Sequence, residues 1–176
     1  QFWGYSDLTT VLNAIYAKAG RTGVLYQIRN VLYKERKQQM TDVRDVLCEG
    51  GDALYRIDYH YVQGTEMHGI IVGGNIRCFL KLSGTAYMPD LNGKILLLES
   101  RSGTVARMET YLSQLQQIGA FEQIAGILLG TFTEMEAKQC MPDIVQLVKK
   151  YVRKTMPIAV TKQIGHGTDA KGIVIG

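Results

Sequence analysis

The stretch Lys94-Ile-Leu-Leu-Leu-Glu99 decides the fold class of this chain. Four apolar residues in an unbroken run are typical of a β-strand that is covered on both faces, as the strands of parallel sheets are. Glu99 follows the run directly, so its carboxylate is expected at the carboxyl end of that strand. Two more apolar runs of strand length come later in the sequence, Gly126–Phe132 and Ile158–Val160.

Helical patterns separate these three runs. Residues 105–118 place Leu112 and Leu115 on one helical face, and residues 143–154 end before Pro157. The order strand, helix, strand, helix, strand predicts right-handed crossovers and a parallel sheet. The sequence therefore predicts an α/β fold.

The segment before this sheet contains a serine at the start of a helix. Residues 8–19 carry apolar side chains at helical spacing, Asp7 is in the position of an N-cap, and Gly20 is a stop signal. Ser6 is therefore expected at the N-terminal end of the helix. The N–H groups and positive partial charge of that end favour an attacking oxygen and the oxyanion it creates.

The remaining elements are predicted from shorter patterns. Asn75 is expected to cap a helix that ends near residues 83–84, after a turn at Gly73-Gly74. The residue pattern changes at residues 50–65, where strand-like alternation begins, and this change suggests a domain boundary, which we place at residue 60. The other expected elements are a strand at 24–28, a polar helix or helix pair at 31–47, and strands at 55–62, 70–72 and 171–175.

Composition excludes several classes of protein. The 176 residues are 46% hydrophobic and 20% charged, which is ordinary for a globular chain. The net charge of +4 comes from basic runs at helical spacing, without the aromatic platforms or zinc signatures of nucleic-acid-binding modules. No apolar run approaches the roughly 20 residues of a membrane span. We expect neither nucleic acid nor membrane as a partner.

The three cysteines, Cys48, Cys78 and Cys140, are odd in number and far apart. They show neither the spacing of a disulfide framework nor that of a zinc site. We expect free thiols in a reducing compartment, a cytoplasmic location, no metal and no cofactor.

Three residues at the edges of apolar runs could form a charge-relay site. Serine oxygen needs a neighbouring base, and the base needs a carboxylate to orient it and stabilise its cation. Ser6, Glu99 and His166 supply one candidate for each role. Flanking glycines expose His166 in a loop after a strand, whereas His60 and His68 have no such setting and are expected to be structural.

Several separate stretches of the sequence match motifs of one known family, in that family's order: Phe2-Trp-Gly-Tyr-Ser-Asp-Leu-Thr-Thr10, Asn13-Ala-Ile-Tyr-Ala-Lys18, Gly73-Gly-Asn75, Gly84-Thr85, Pro89-Asp90, Gly93-Lys-Ile-Leu-Leu-Leu-Glu99, Leu112-Ser-Gln-Leu115, Ala125-Gly-Ile-Leu-Leu-Gly-Thr-Phe132 and Gly165-His-Gly167. They resemble the LD-carboxypeptidase and microcin-immunity family of serine peptidases. The resemblance is weakest over residues 31–63. The chain differs from the family at residues 26–28, where His-Gly-Pro is common, and at residues 100–103, where acidic residues are common and a less acidic pocket is expected here.

The resemblance implies a role for each site residue. Ser6 matches the nucleophile, Glu99 the orienting acid and His166 the general base, and the backbone N–H of Asp7 matches an oxyanion donor. It also implies the remnant of a flavodoxin-like N-terminal domain, residues 1–60, followed by a mixed β/α C-terminal domain, residues 61–176. Residues 1–50 are then expected to be the less ordered part of the chain or to pair with another chain, because residues such as Leu12, Ile15 and Val24 would lack a core.

The activity implied by the resemblance is metal-free hydrolysis of the L,D-peptide bond of murein tetrapeptides, with release of terminal D-alanine. An alternative within the family is a microcin-C-type immunity peptidase that cleaves a peptidyl- or aminoacyl-nucleotide. An alternative of another class is a non-catalytic binding or dimerisation module. The resemblance further implies peptidoglycan recycling, a homodimer, and weak or no activity for residues 1–176 alone.

Overall fold

A computed structural model of the protein describes residues 2–176. The strands are β1 (Phe2–Gly4), β2 (Gly23–Leu25), β3 (His60–Gln63), β4 (Ile71–Asn75), β5 (Ile95–Ser100), β6 (Gly126–Phe132), β7 (Ile158–Val160) and β8 (Ile173–Ile175). The α-helices are α1 (Thr9–Ala19), α2 (Lys37–Arg44), α3 (Ile76–Leu80), α4 (Val105–Gln117), α5 (Ala120–Gln123), α6 (Thr133–Ala137) and α7 (Ile144–Tyr151).

The strands form two sheets. The larger has the order β3-β7-β6-β5-β4, with β4 to β7 parallel and β3 antiparallel at one edge. The smaller has the order β1-β2-β8, in which β1 and β2 are parallel and β8 is antiparallel to β2. The fold is therefore mixed α/β, as the apolar runs predicted.

Strand β5 is buried along its whole length because both faces of the larger sheet are covered. On one face, Leu96 and Leu98 pack in a core with side chains of α3, α4 and α7. On the other face, Leu97 packs with Leu12 of α1 and Ile173 of β8. The continuous apolar run thus reflects two separate cores, one on each side of the strand.

The last strand of the chain joins the N-terminal segment, since β8 lies beside β2. Leu12 and Val24 are buried in the chain's own cores. The expectation that these residues lack a core was wrong, because β8 and the larger sheet cover Leu12, and Tyr26, Val43 and Leu54 pack with Val24. The division at residue 60 stays a prediction.

Most predicted elements are confirmed, with shifted ends. The N-cap role of Asn75 and the stop at Gly20, whose φ is 60°, are both observed. Gly73 and Gly74 lie inside β4 rather than in a turn. The strand expected at 24–28 ends at Leu25, and the strand expected at 55–62 begins only at His60. Residues 31–47 contain single turns and the short helix α2.

Candidate active site

Ser6 lies in a tight turn between β1 and α1. Its φ of 52° is in the left-handed region, which a non-glycine residue rarely adopts. A single helical turn, Ser6–Leu8, leads from there into α1. The Ser6 hydroxyl is therefore held on a strained elbow at the start of a helix, where backbone strain often marks function.

His166 connects Glu99 to Ser6. Its Nδ1 lies 2.8 Å from Oε2 of Glu99, and its Nε2 lies 3.3 Å from Oγ of Ser6. With the Nδ1–H donating to the carboxylate, Nε2 carries the lone pair that can accept the serine proton. The structure thus brings together the three residues chosen from the sequence. Both the Glu99 carboxylate and the imidazole are almost fully buried, with 2% and 7% of their side chains exposed.

A β-bulge positions Glu99. Leu98 pairs with Leu129 but Ser100 pairs with Phe132, so two residues of β6, Gly130 and Thr131, oppose Glu99 alone. A bulge of this kind redirects side chains at the end of a strand. Gly130 is required there because an added Cβ would lie 2.5 Å from the carbonyl oxygen of Ile164.

The same bulge positions the loop that carries His166. The N–H of Thr131 donates to the carbonyl oxygen of Ile164 at 2.8 Å. Gly165 follows with a φ of 140°, and a Cβ at this position would collide with Oγ1 of Thr131. Glu99 and His166 therefore depend on one local backbone arrangement in β6.

Tyr5 packs against the other side of the imidazole. The two ring centroids lie 4.8 Å apart at 53°, and the tyrosine hydroxyl faces the Gly165 carbonyl oxygen at 3.5 Å. Burial and the nearby Glu99 carboxylate raise the pKa of Tyr5, so the phenol stays neutral. Tyr5 therefore restricts the ring of His166 without adding a charge to the site.

Residues 28–55 hold the far side of the His166 loop. Nδ2 of Asn30 donates to the carbonyl oxygens of Gly167 and Ala170 at 3.3 and 3.4 Å. Nζ of Lys171 donates to Oδ2 of Asp42 at 3.0 Å, and the Asp42 side chain is 4% exposed. Asn30 and Asp42, just before and within the stretch of weakest family resemblance, therefore brace the loop of the candidate base and the residues that follow it.

The elbow also contacts the helix that follows β4. Oδ1 of Asp7 accepts hydrogen bonds from Arg77 at 2.8 Å and from the thiol of Cys78 at 3.0 Å. The Cys78 hydrogen bond and the Arg77 charge hold the pKa of Asp7 below its usual value, whereas burial and contact with Asp7 raise the pKa of Cys78 to about 11. The expectation that the Asp7 side chain caps α1 was wrong, because the side chain turns away to these two partners.

A cleft of about 320 Å³ opens in front of Ser6 and His166. Arg77 and Arg101 bring two guanidinium groups to its wall, and Asp7 is the one carboxylate among its lining residues. The cleft therefore favours an anionic ligand. Its remaining lining residues are Tyr5, Asn75, Ser100 and Ser102.

The other sequence candidates lie away from this cleft. His60 pairs with Val160 in the larger sheet, and His68 is an exposed side chain 3.9 Å from Glu66. Within residues 2–176 the cysteines are free, no cluster of three or more His, Cys, Asp or Glu side chains could hold a metal ion, and no helix is long and apolar enough to cross a membrane.

The profile of the LD-carboxypeptidase C-terminal domain matches residues 68–176, more than half of the chain. The chain belongs to the LD-carboxypeptidase family. The microcin C7 self-immunity protein MccF of Escherichia coli is 30% identical over 159 residues, which are 72% of this chain and 46% of MccF. The chain spans about half the length of the curated relatives it matches.

Solved structures of this family share the fold. The muramoyltetrapeptide carboxypeptidase from Oxalobacter formigenes matches with a TM-score of 0.77 at 19% identity, over 99% of this chain and 62% of that one. MccF in complex with aspartyl sulfamoyl adenosine matches with a TM-score of 0.78 at 17% identity, over 99% of this chain and 62% of that one. At these identities the likeness shows the fold alone.

Sequence reasoning missed the roles of three residues: Arg77 and Cys78, which contact Asp7, and Asn13, whose side-chain amide is hydrogen-bonded to the backbone of Gly73. A signal was available only for Asn13, a polar residue directly after Leu12 on the inward face of α1. Nothing in the sequence pattern assigned partners to Arg77 or Cys78, because these lie about 70 residues from Asp7.

Proposed function

We propose that this chain carries the catalytic site of a serine carboxypeptidase that releases terminal D-alanine from murein tetrapeptides by hydrolysing the L,D-peptide bond. The observation that carries the proposal is the bridge that His166 makes between the buried Glu99 and the strained Ser6. The membership of the chain in a carboxypeptidase family and the fold shared with a muramoyltetrapeptide carboxypeptidase support it.

In the first half of the reaction, Oγ of Ser6 attacks the scissile carbonyl carbon while Nε2 of His166 takes the hydroxyl proton. Glu99 stabilises the resulting imidazolium through Nδ1. The backbone N–H of Asp7, in the first turn after the elbow, donates to the oxyanion. When the C–N bond breaks, His166 returns the proton to the leaving amine of D-alanine, and an ester to Ser6 remains.

In the second half, water replaces the amine. His166 takes a proton from the water as its oxygen attacks the ester carbonyl. The ester C–O bond then breaks, the proton returns to Oγ of Ser6, and the shortened peptide leaves with a new carboxylate. Every proton passes through His166, so the reaction needs no metal.

The cleft supports a substrate with a free terminal carboxylate. Arg101 follows β5 on the cleft wall and takes part in no ion pair among the described side chains, so its charge is available to a ligand. Arg77 already pairs with Asp7. We propose that Arg101 contacts the carboxylate of the terminal D-alanine.

The 30% identity to MccF supports the alternative that the substrate is an aminoacyl-nucleotide, so the experiment includes such a substrate. A solved MccF structure contains aspartyl sulfamoyl adenosine, whose sulfamoyl group would suit the same basic cleft. The non-catalytic alternative predicts instead that Ser6 has no special reactivity.

The experiment has two readouts. Intact mass after treatment with a fluorophosphonate measures the reactivity of Ser6: the Oγ–P bond forms, the P–F bond breaks, fluoride leaves and His166 takes the proton. Release of D-alanine from a murein tetrapeptide, beside cleavage of aspartyl sulfamoyl adenosine, measures substrate choice. The proposal is overturned if Ser6→Ala is labelled as strongly as the parent. If aspartyl sulfamoyl adenosine is cleaved faster than the murein tetrapeptide, the activity is that of a microcin-immunity peptidase instead.

We further propose that residues 1–176 alone hydrolyse peptide weakly or not at all, so labelling is the primary readout for this chain. A role in peptidoglycan recycling, a homodimer and a cytoplasmic location remain parts of the same proposal. Exposed apolar side chains in the N-terminal segment, among them Phe2, Leu8, Val11 and Leu32, are compatible with pairing between chains. Light scattering of the purified chain tests the dimer.

A further inference from the structure

The side chain of Asp7 lies beside the reacting atoms yet has no part in the steps above. Asp7 directly follows Ser6, and its own N–H is the proposed oxyanion donor. Its carboxylate is turned toward α3, where Arg77 and Cys78 both contact the same oxygen, Oδ1. Whatever holds this carboxylate therefore also holds the backbone of the elbow.

The contacts of Arg77 and Cys78 differ in how strongly they constrain the carboxylate of Asp7. The pair between Arg77 and Asp7 is exposed, with 53% and 71% of the two side chains accessible, and exposed ion pairs constrain geometry weakly. Cys78 is fully buried, so its thiol cannot move away from Asp7 without disturbing the core. The hydrogen bond from the thiol is therefore the contact that fixes the position of the carboxylate.

The helix that carries Cys78 is itself tied to α1. Oδ1 of Asn75 caps α3 by accepting from the N–H of Cys78 at 3.3 Å, and the N–H of Asn75 donates to Oγ1 of Thr9 at 3.1 Å. Oγ1 of Thr10 donates to the carbonyl oxygen of Cys78 at 2.8 Å. Cys78 is therefore fixed relative to the same helix that follows the elbow.

Arg77 adds an electrostatic role. A carboxylate one residue from the nucleophile would oppose the negative charge that develops on the substrate oxygen. The guanidinium group at 2.8 Å offsets the charge of Asp7. Cys78 and Arg77 can thus hold the elbow through Asp7 without the electrostatic cost of an uncompensated anion.

We infer that Cys78 and Arg77 are positioning residues that act through the carboxylate of Asp7, with Cys78 fixing the elbow and Arg77 offsetting its charge. This inference rests on the proposed function, since it assigns the elbow to a reacting serine. Cys78 is not itself a nucleophile here. Its raised pKa of about 11 keeps the thiol protonated, and the protonated thiol is the form that donates to Asp7.

The test compares fluorophosphonate labelling of Ser6 in the full chain and its variants, with maximal rate and probe affinity measured separately. Cys78→Ala removes the donor, Cys78→Ser keeps one, and Arg77→Met removes the compensating charge. Cys140→Ala is the matched control, because that partly buried thiol lies outside the cleft.

We expect Cys78→Ala to lower the maximal rate about 10- to 100-fold, the range that a small misplacement of reacting groups produces, with unchanged probe affinity. Cys78→Ser should retain most of the parent rate, Arg77→Met should lower the maximal rate, and Cys140→Ala should match the parent. A loss of thermal stability in Cys78→Ala at the parent's maximal rate would mean that Cys78 only fills space, and would overturn the inference.

Infrared spectroscopy tests the contact without any reaction. The S–H stretch assigned by the difference between the parent and Cys78→Ser should lie at lower frequency than those of the other two thiols, and Asp7→Asn should raise it. An S–H stretch that Asp7→Asn does not change would overturn the inference that Cys78 acts through Asp7, even if Cys78→Ala does not fold. Equal labelling of the parent and of the Ser6→Ala variant would instead contradict the proposed function.

Discussion

The side chain of Asn13 pairs with the backbone of Gly73 through two hydrogen bonds of 2.9 Å, one to its N–H and one to its carbonyl oxygen. Strand β4 is an edge of the larger sheet, and Gly73 lies in its middle. The Asn13 amide therefore takes the place of a neighbouring strand. Because Asn13 belongs to α1, this pairing also fixes the helix after Ser6 against the sheet that carries Glu99.

Replacing Asn13 with Ala should destabilise the protein strongly. Both backbone groups of Gly73 would be left buried without a partner, at about 1–3 kcal/mol for each group. We expect the free energy of unfolding, measured in urea, to fall by about 3 kcal/mol. Asn92→Ala, at an exposed position, is the control and should change stability by less than about 0.5 kcal/mol. A loss below about 1 kcal/mol for Asn13→Ala would show that water or a shifted backbone replaces the amide.

Glu99→Gln should abolish most of the reactivity of Ser6 while leaving the fold intact. The substitution keeps the shape of the side chain but removes the charge that fixes the tautomer of His166 and stabilises its cation. Loss of the corresponding carboxylate charge in a serine triad costs on the order of 10⁴ in rate. Labelling kinetics measure the effect, with Glu66→Gln, an exposed position outside the cleft, as the control. A Glu99→Gln variant labelled at the parent rate would remove Glu99 from the proposed triad.

The sheet could be predicted from the sequence because its strands are encoded locally. The stretches 95–98, 127–129 and 158–160 are apolar throughout, and such runs arise where both faces of a strand are covered. The same patterns placed Glu99 at the end of a strand and His166 in the loop after another. Their shared position at one edge of a parallel sheet then followed from topology.

Residues 28–55 could not be predicted in the same way. Their turns depend on contacts with partners more than 100 residues away, such as Asn30 with Gly167 and Asp42 with Lys171. Neither helical nor strand periodicity encodes contacts of this kind. The contacts of Asp7 were missed for the same reason, since an Asp before a helix suggests a cap unless a distant donor binds it.

Gly165→Ala should disturb the site through an identifiable collision, in addition to the strain of placing a side chain at a φ of 140°. The new methyl group would meet Oγ1 of Thr131, so the loop must move and carry His166 away from Ser6. We expect labelling of Ser6 to fall about 10-fold or more. Thr131→Ala removes that oxygen, which has no hydrogen-bond partner among the described residues, and should restore part of the rate in the double variant. Independent effects of the two substitutions would contradict this explanation.

Lys171→Met should destabilise the protein by leaving Asp42 without its cation. Asp42 is 4% exposed, and removing one partner of a buried pair costs about 3–5 kcal/mol. Gln38 also donates to Asp42, so we expect about 3 kcal/mol in urea unfolding. Lys138→Met breaks an exposed pair with Glu134 and should change stability little. Equal effects of the two substitutions would show that the buried pair of Lys171 and Asp42 stabilises the protein no more than the exposed pair does.

The thiol of Cys78 should make the protein less stable in alkali. Asp7, Arg77 and Lys81 are the charged groups that act on it, and burial together with Asp7 raises its pKa from 9.0 to about 11. The unfolded chain therefore releases this proton first as the pH rises. The contribution of the thiol to the free energy of unfolding is complete below pH 9 and is lost by about pH 11.

Comparing the parent with Cys78→Ser isolates this contribution, because lysine and tyrosine titrations are common to both proteins and cancel in the difference. The difference in unfolding free energy should be constant below pH 9 and should shift by about 2 kcal/mol against the parent between pH 9 and about 11. A constant difference across pH 8 to 11 would show that the thiol ionises equally in the folded and unfolded chain. Such a result would contradict both causes of the raised pKa, the burial of the thiol and its contact with Asp7.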